Sequence, residues 1–355
     1  LERQKPGSKW PCVLQILPAL GASGGVERGT VEIAAAITAA GGQALVASEG
    51  GPLVHDLGRA GAKHFVLPVA SKNPVVMHHN VERIAELIRS ENVDLVHVRS
   101  RAPAWSAYFA CKRAGRPMVT TFHGTYSIGN WLKRRYNAIM TSGERVIAIS
   151  EFIGGHARRY YGVPVERIRV IHRGVDLQRF DPTHVSAERV IKLAAEWRMP
   201  DGVPVVMLPG RLTRWKGQAV LIEAIAKLGR QDLRCVLVGS DQGRVGYRAE
   251  LEKLIERLGL AGVVRIVDHC DDMPAAYMLT DLVVSASTDP EAFGRVIAEG
   301  QAMGRPVIAT DHGGAREIIE PGVTGWLTPP GDAVALAERI GTALAMPPDD
   351  RDRLA

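Results

Sequence analysis

Residues 205–228 read VVMLPGRLTRWKGQAVLIEAIAKL. The apolar run Val205–Pro209 stops at Gly210, a polar loop follows, and apolar residues then recur at helical spacing over Lys216–Leu228. A short, unbroken apolar run is the pattern of a strand covered on both faces, as in parallel sheets. Parallel strands need a crossover between them, and the helix supplies it. The stretch therefore reads as a β–loop–α unit whose ligand-facing residues lie just past the strand's carboxyl end.

The same alternation extends in both directions. Downstream, Cys235–Val238, Val263–Val267, Leu282–Ser285 and Val307–Ala309 are strand-like. Gly246–Leu258, Met273–Leu279, Arg295–Met303 and Asp332–Ala345 carry helix spacing. Upstream lies a separate series: strands Val13–Pro18, Ala44–Ala47, His64–Leu67, Leu95–Val98, Met118–Thr121 and Val146–Ile149. Its helices are Val26–Ala40, Pro52–Ala60, Pro74–Ser90, Pro103–Ala114 and Ile128–Met140. Two series predict an α/β protein of two doubly wound, Rossmann-like domains whose strand ends face a central cleft. The break falls within Arg173–Asp201, which contains the turn-prone Phe180-Asp181-Pro182, and sets the domains at 1–180 and 181–355.

Composition fits this. The chain has 355 residues, 46% hydrophobic and 23% charged, which argues against disorder, collagen and coiled coil. The polar start LERQKPGSKWP lacks a signal-peptide core, and no run has the roughly 18–20 apolar residues of a membrane span. Cys12, Cys111, Cys235 and Cys270 are far apart, which predicts reduced, mostly buried thiols in a cytoplasmic protein. Charge is uneven. Residues 1–180 hold 24 Lys and Arg against 13 Asp and Glu, and residues 181–355 hold 20 against 25. The basic half suggests an anionic partner: nucleic acid, lipid or phosphorylated glycan. No zinc-finger, RRM or helix-turn-helix pattern favours nucleic acid. Trp131-Leu132-Lys133-Arg134-Arg135-Tyr136 places aromatics beside three cations on a short helix. Such a helix suits a lipid interface or an ordinary amphipathic face.

Five strand-end motifs carry candidate chemistry. Gly21-Ala-Ser-Gly24-Gly25-Val26-Glu27 lets backbone approach a phosphate, or is a tight turn. Thr121-Phe122-His123-Gly124 places at a strand end a histidine that is either a polar handle in the cleft or a structural residue. Gly210-Arg211 with Lys216-Gly217 offers two cations to one diphosphate, or is a loop with solvated cations. No Walker sequence is present. Asp289-Pro-Glu291-Ala-Phe293-Gly294-Arg295 leads into a helix bearing Glu299 in apolar surroundings, where hydroxyl partners would suit both glutamates. Thr310-Asp311-His312-Gly313-Gly314 brings a glycine turn to another strand end. The adjacent Asp271-Asp272 pair is not read as a metal site.

Together these motifs resemble the GT-B glycosyltransferases, within them the retaining family 4 (glycosyl transferases group 1) of the bacterial envelope and lipopolysaccharide type. The match also takes in Ile149-Ser150-Glu151 and Arg173-Gly174-Val175-Asp176, and covers nearly the whole chain. The resemblance implies a hexosyltransferase with a nucleotide-sugar donor such as a UDP- or GDP-hexose, held by the second domain. The acceptor, a lipid-linked or polysaccharide glycan at the cytoplasmic membrane face, would be held by the first. It implies no cofactor, no metal and no nucleic acid. Arg211 and Lys216 would bind the diphosphate, and Glu299 the ribose. Glu291, with the backbone of Phe293 and Gly294, would hold the sugar and diphosphate. Gly25 would meet the phosphate, and His123 the transferred sugar. Trp131, Lys133, Arg134 and Arg135 are assigned to the membrane or acceptor. The chain departs from the family pattern at Arg173, at Asp268 and at Gln301, the last two bearing on base and donor choice. A sugar-nucleotide epimerase or phosphorylase on the same fold, or a non-catalytic nucleotide-sugar binder, are the competing functions.

Overall fold

The computed structural model describes residues 10–21, 25–126, 129–243, 245–347, 350–351 and 353–354. The chain forms two compact units, which meet in sequence at His172 and Arg173. The first contains β1 (Cys12–Ile16), α1 (Gly25–Ala39), β2 (Gln43–Ser48), α2 (Val54–Arg59), β3 (Lys63–Val66), α3 (Pro74–Ser90) and β4 (Leu95–Val98). It continues through α4 (Arg101–Ala114), β5 (Met118–Phe122), α5 (Trp131–Asn137), β6 (Arg145–Ala148), α6 (Glu151–Tyr161) and β7 (Ile168–Val170). The second contains α7 (Ala187–Glu196), β8 (Val205–Pro209), α8 (Gln218–Leu228), β9 (Arg234–Val238), α9 (Val245–Arg257), β10 (Val264–Val267) and α10 (Met273–Met278). After these come β11 (Leu282–Ser285), α11 (Arg295–Ala302), β12 (Val307–Thr310), α12 (Ala315–Ile318), β13 (Trp326–Thr328) and α13 (Ala333–Ala345).

Both sheets are parallel and doubly wound. The first runs β3-β2-β1-β4-β5-β6-β7 and the second β10-β9-β8-β11-β12-β13. Strand order therefore reverses between β1 and β4, and again between β8 and β11, which makes each gap the natural ligand crevice of its sheet. The deciding strand shows why. Val206 and Leu208 point into one hydrophobic cluster and Val205 and Met207 into another, so helices cover both faces. Helix starts follow local chemistry. Asn73 caps α3 ahead of Pro74, Ser150 accepts from the Ile153 N–H to cap α6, and Asp332 caps α13.

Several expectations change. The division lies at 172/173 rather than 180/181 because Val175 and Phe180 pack into the second unit's core. The same core takes Leu193 and Trp197, so part of the expected break is α7. The helix expected over Ile128–Met140 is shorter: Asn130 caps α5, and a 3-10 turn follows at Ala138–Thr141. Ile128 and Gly24 lie outside the described residues. All four cysteines are free and buried. No described helix is long and apolar enough to cross a membrane.

Candidate active site

The loops after β8 and β11 flank the crevice of the second sheet and are clipped to each other. The Thr288 N–H donates to the Trp215 carbonyl at 2.7 Å. Gly217, at φ +73, lies so close to the other loop that a Cβ would sit 1.8 Å from the Ala286 carbonyl oxygen. Only glycine permits this approach. It delivers Lys216 to Glu291, with Nζ 2.7 Å from Oε1 and side chains only 13% and 12% exposed.

Glu291 Oε1 also accepts from Ser287 Oγ at 2.6 Å and from Ser285 Oγ at 3.4 Å. Burial pushes this carboxyl up. The Lys216 charge and hydrogen bond, with the two serines, outweigh it and hold the group below its ordinary range. These bonds all fall on Oε1, so Oε2 is left to accept from a ligand. The Gly313-Gly314 turn supports the loop from behind: the Gly314 N–H donates to the Glu291 carbonyl at 2.8 Å. A Cβ at Gly313 would lie 2.4 Å from that same oxygen. Arg211 is exposed at the end of β8, and its carbonyl accepts from Gln218 Nε2 at 2.9 Å.

Glu299 lies on α11, which starts at Gly294 in a left-handed conformation behind the buried Phe293. Tyr277 Oη donates to Glu299 Oε2 at 3.0 Å, and Arg295 Nε lies 3.6 Å from Oε1. Burial, then the Glu299 charge and hydrogen bond, hold the Tyr277 phenol well above its ordinary range, so it remains a donor. Sequence reasoning missed Tyr277, Ser285 and Ser287. The serines had a signal, as polar residues at alternate positions where an apolar strand ends. Tyr277 had none, because its partner is fixed by packing.

The departures have structural partners. Gln301 Nε2 donates to the Thr324 carbonyl at 2.7 Å, and Asp268 is paired with Arg248. Asp272 caps α10 and receives two bonds from Arg189, at 2.6 and 2.8 Å.

In the first unit, His123 follows β5, and Gly25 begins α1 with open space where a Cβ would be. A buried polar chain runs across the strand ends nearby. Arg99 Nη1 donates to Gln15 Oε1 at 3.0 Å, and Gln15 Nε2 to the Thr30 carbonyl of α1 at 3.1 Å. His97 Nε2 is 2.7 Å from Thr121 Oγ1, and burial, with the Arg99 charge, pushes this histidine down to about 3. On α5, Trp131 and Leu132 are 71% and 59% exposed, and Lys133, Arg134 and Arg135 are exposed beside them. Tyr136 stacks on Trp105 at 6.2 Å and holds the helix to α4.

Known proteins resemble this chain in sequence and fold. The Glycosyl transferases group 1 family model matches residues 191–355, and the Glycosyltransferase Family 4 model matches residues 23–179. The crystal structure of a glycosyltransferase from Rickettsia africae ESF-5 is 40% identical with a TM-score of 0.89, covering 98% of this chain and 92% of that one. Anabaena HepE in complex with UDP-glucose is 27% identical with a TM-score of 0.83, covering 97% and 92%. The D-inositol 3-phosphate glycosyltransferase of Xylanimonas cellulosilytica is 32% identical over 290 residues, 76% of this chain and 68% of that protein. The chain spans about two thirds or less of the length of the inositol-phosphate glycosyltransferases that it matches. With family models matching most of both units and a relative aligned over 76% of the chain, the chain belongs to the glycosyl transferases group 1 family of GT-B glycosyltransferases.

Proposed function

We propose that this protein transfers a hexose from a nucleoside-diphosphate sugar to an anionic glycan or lipid acceptor at the cytoplasmic membrane face, with retention at the anomeric carbon and without a metal. The observation that carries this is the Lys216–Glu291 pair in the crevice between β8 and β11, where a cation and a carboxylate are held ready for a charged, hydroxyl-rich ligand. HepE, with UDP-glucose bound, supports the donor class. The inositol-phosphate relative supports an acceptor bearing an anionic group, as does the basic balance of residues 1–180.

In this reaction the bond from C1 to the diphosphate oxygen breaks, and its electron pair leaves with the nucleoside diphosphate. The acceptor oxygen forms a bond to C1 on the same face, and its proton passes to the departing phosphate. Lys216 and Arg211 stabilise the charge that grows on the diphosphate, the place of greatest benefit in the transition state. Glu291 orients the sugar through Oε2 and stabilises the positive character at C1. Glu299 holds the ribose hydroxyls, with Tyr277 fixing its carboxylate. The family resemblance assigns Gly25 to the phosphate and His123 to the transferred sugar.

A thermal-shift panel of nucleoside diphosphates and nucleotide sugars, run with and without EDTA, tests the donor site, because a ligand of the native state raises Tm. The expected result is a shift selective for one base and indifferent to EDTA, followed by an α-linked product from an α-linked donor. An inverted product, or a need for inorganic phosphate or no acceptor at all, overturns the mechanism. No shift with any nucleotide overturns the donor site.

A further inference from the structure

The carboxyl ends of β8 and β11 carry the candidate active site. The amino ends of the same parallel sheet carry a second, separate concentration of positive charge. A cavity of about 440 Å³ opens there, lined by Arg198, Arg234 and Arg265 together with Met199, Gly262 and Val264. Arg234 is the first residue of β9, and Arg265 the second of β10, the edge strand. Arg198 lies just past the end of α7.

Two of these guanidiniums are braced by backbone. Arg265 Nη1 donates to the Trp197 carbonyl at 2.7 Å, and Arg234 Nη1 donates to the Leu233 carbonyl at 2.7 Å and the Gln231 carbonyl at 3.3 Å. These contacts occupy one nitrogen of each fork and leave the others for a ligand. Among the described residues, none of the three is ion-paired with a carboxylate, although Arg230 close by is paired with Asp232 at 2.8 Å. Arg198 stands at φ +47, past a helix end where glycine is the favoured residue. The helix dipole accounts for a cation at Arg198. It does not account for Arg234 and Arg265, which lie at the amino ends of strands. The surroundings are acidic overall, since residues from Arg173 onward hold 22 Lys and Arg against 26 Asp and Glu.

We propose that this cavity binds a compact phosphorylated small molecule, gripped by Arg198, Arg234 and Arg265. Planar guanidinium forks match phosphoryl oxygens two at a time. The volume is that of a small-molecule pocket. No carboxylate, imidazole or thiol lines it, so the ligand is bound there and not transformed. The site shares no residue with Lys216, Glu291 or Glu299 and stands whether or not the donor assignment does.

The test uses the full chain and inorganic pyrophosphate at constant ionic strength, read as a Tm shift and by calorimetry. In the Arg211→Ala/Lys216→Ala variant, where the donor site is disabled, pyrophosphate is expected still to bind saturably. Arg198→Gly suits the left-handed backbone and so preserves the fold. In that same background it is expected to weaken binding at least fivefold. Arg234→Gln with Arg265→Gln is expected to abolish it. Loss of all binding in Arg211→Ala/Lys216→Ala, or unchanged binding in Arg198→Gly, overturns the proposal, as does the absence of saturable binding in the parent chain.

Discussion

Lys216 and Glu291 are nearly buried, and neither tolerates the loss of the other. Removing the lysine leaves a carboxylate with serine donors but no countercharge. Breaking such a pair typically costs roughly 3 kcal/mol or more. Lys216→Ala is therefore expected to abolish transfer and also to lower urea stability by about that amount. Adding Glu291→Gln should restore most of the stability and none of the activity. If Lys216→Ala unfolds like the parent, the ion pair is not a structural unit of the loop. His97 gives the second residue-scale prediction. Burial and the Arg99 charge push it down to about 3 in the folded protein, against about 6.5 for an ordinary imidazole. Between those values the unfolded chain binds a proton that the native state does not, so stability falls as pH drops below 6.5. The His97 share of that fall between pH 6.5 and 4.5 is roughly 2 kcal/mol. His97→Gln should flatten the acid limb by this amount in urea titrations at the two pH values. An unchanged limb would mean that His97 is protonated in the native state.

The exposed face of α5 sets apart a helix that is otherwise held by Asn130 at its start and by Tyr136 against Trp105. Trp131 and Leu132 face solvent beside Lys133, Arg134 and Arg135. Each cation at an anionic membrane is worth about 1 kcal/mol, so Lys133→Ser/Arg134→Ser/Arg135→Ser should weaken binding to anionic vesicles by about 100-fold. Trp131→Ala should weaken it further, and neither change should alter the Tm shift given by the donor nucleotide. Equal vesicle binding by parent and triple variant would remove α5 from the membrane surface. How legible each element was depends on the same local features. The bounds of β4, β8 and β11 were readable because each is an apolar run ended by polar or glycine residues. α6 escaped because Gly154-Gly155-His156 interrupts its spacing. Gly154 faces the sheet, where a Cβ would make ordinary contact with Val170, Ala148 and Ile168 at 3.4–3.7 Å. β7 and β13, three residues each, are edge strands defined by the neighbour they pair with. In the site, Lys216, Glu291 and Glu299 were visible as charges next to strand ends or in apolar surroundings. Their serine and tyrosine partners, and the chain from Arg99 through Gln15 to Thr30, depend on which strands become neighbours.

At the scale of the whole molecule, charge divides as the fold does. Residues up to His172 hold 22 Lys and Arg against 12 Asp and Glu, and those from Arg173 hold 22 against 26. The asymmetry is therefore a property of the folded units and not an accident of where the sequence is cut. Under the proposed function, a basic unit would raise the local concentration of an anionic acceptor through exposed charges, and salt screens such charges over roughly 8–10 Å. Lys216, the cation proposed for the donor, is largely withdrawn from solvent, so salt should reach it less. Raising NaCl from about 50 to about 300 mM should then raise KM for an anionic acceptor by about tenfold and KM for the donor by less than about twofold. Steady-state kinetics with each substrate varied in turn distinguishes the possibilities. A parallel rise in both would place the screened charge at the donor diphosphate, with Arg211 the exposed candidate. A flat acceptor KM would mean that the basic unit meets a neutral acceptor, and the vesicle binding of α5 would then be the remaining use of its charge.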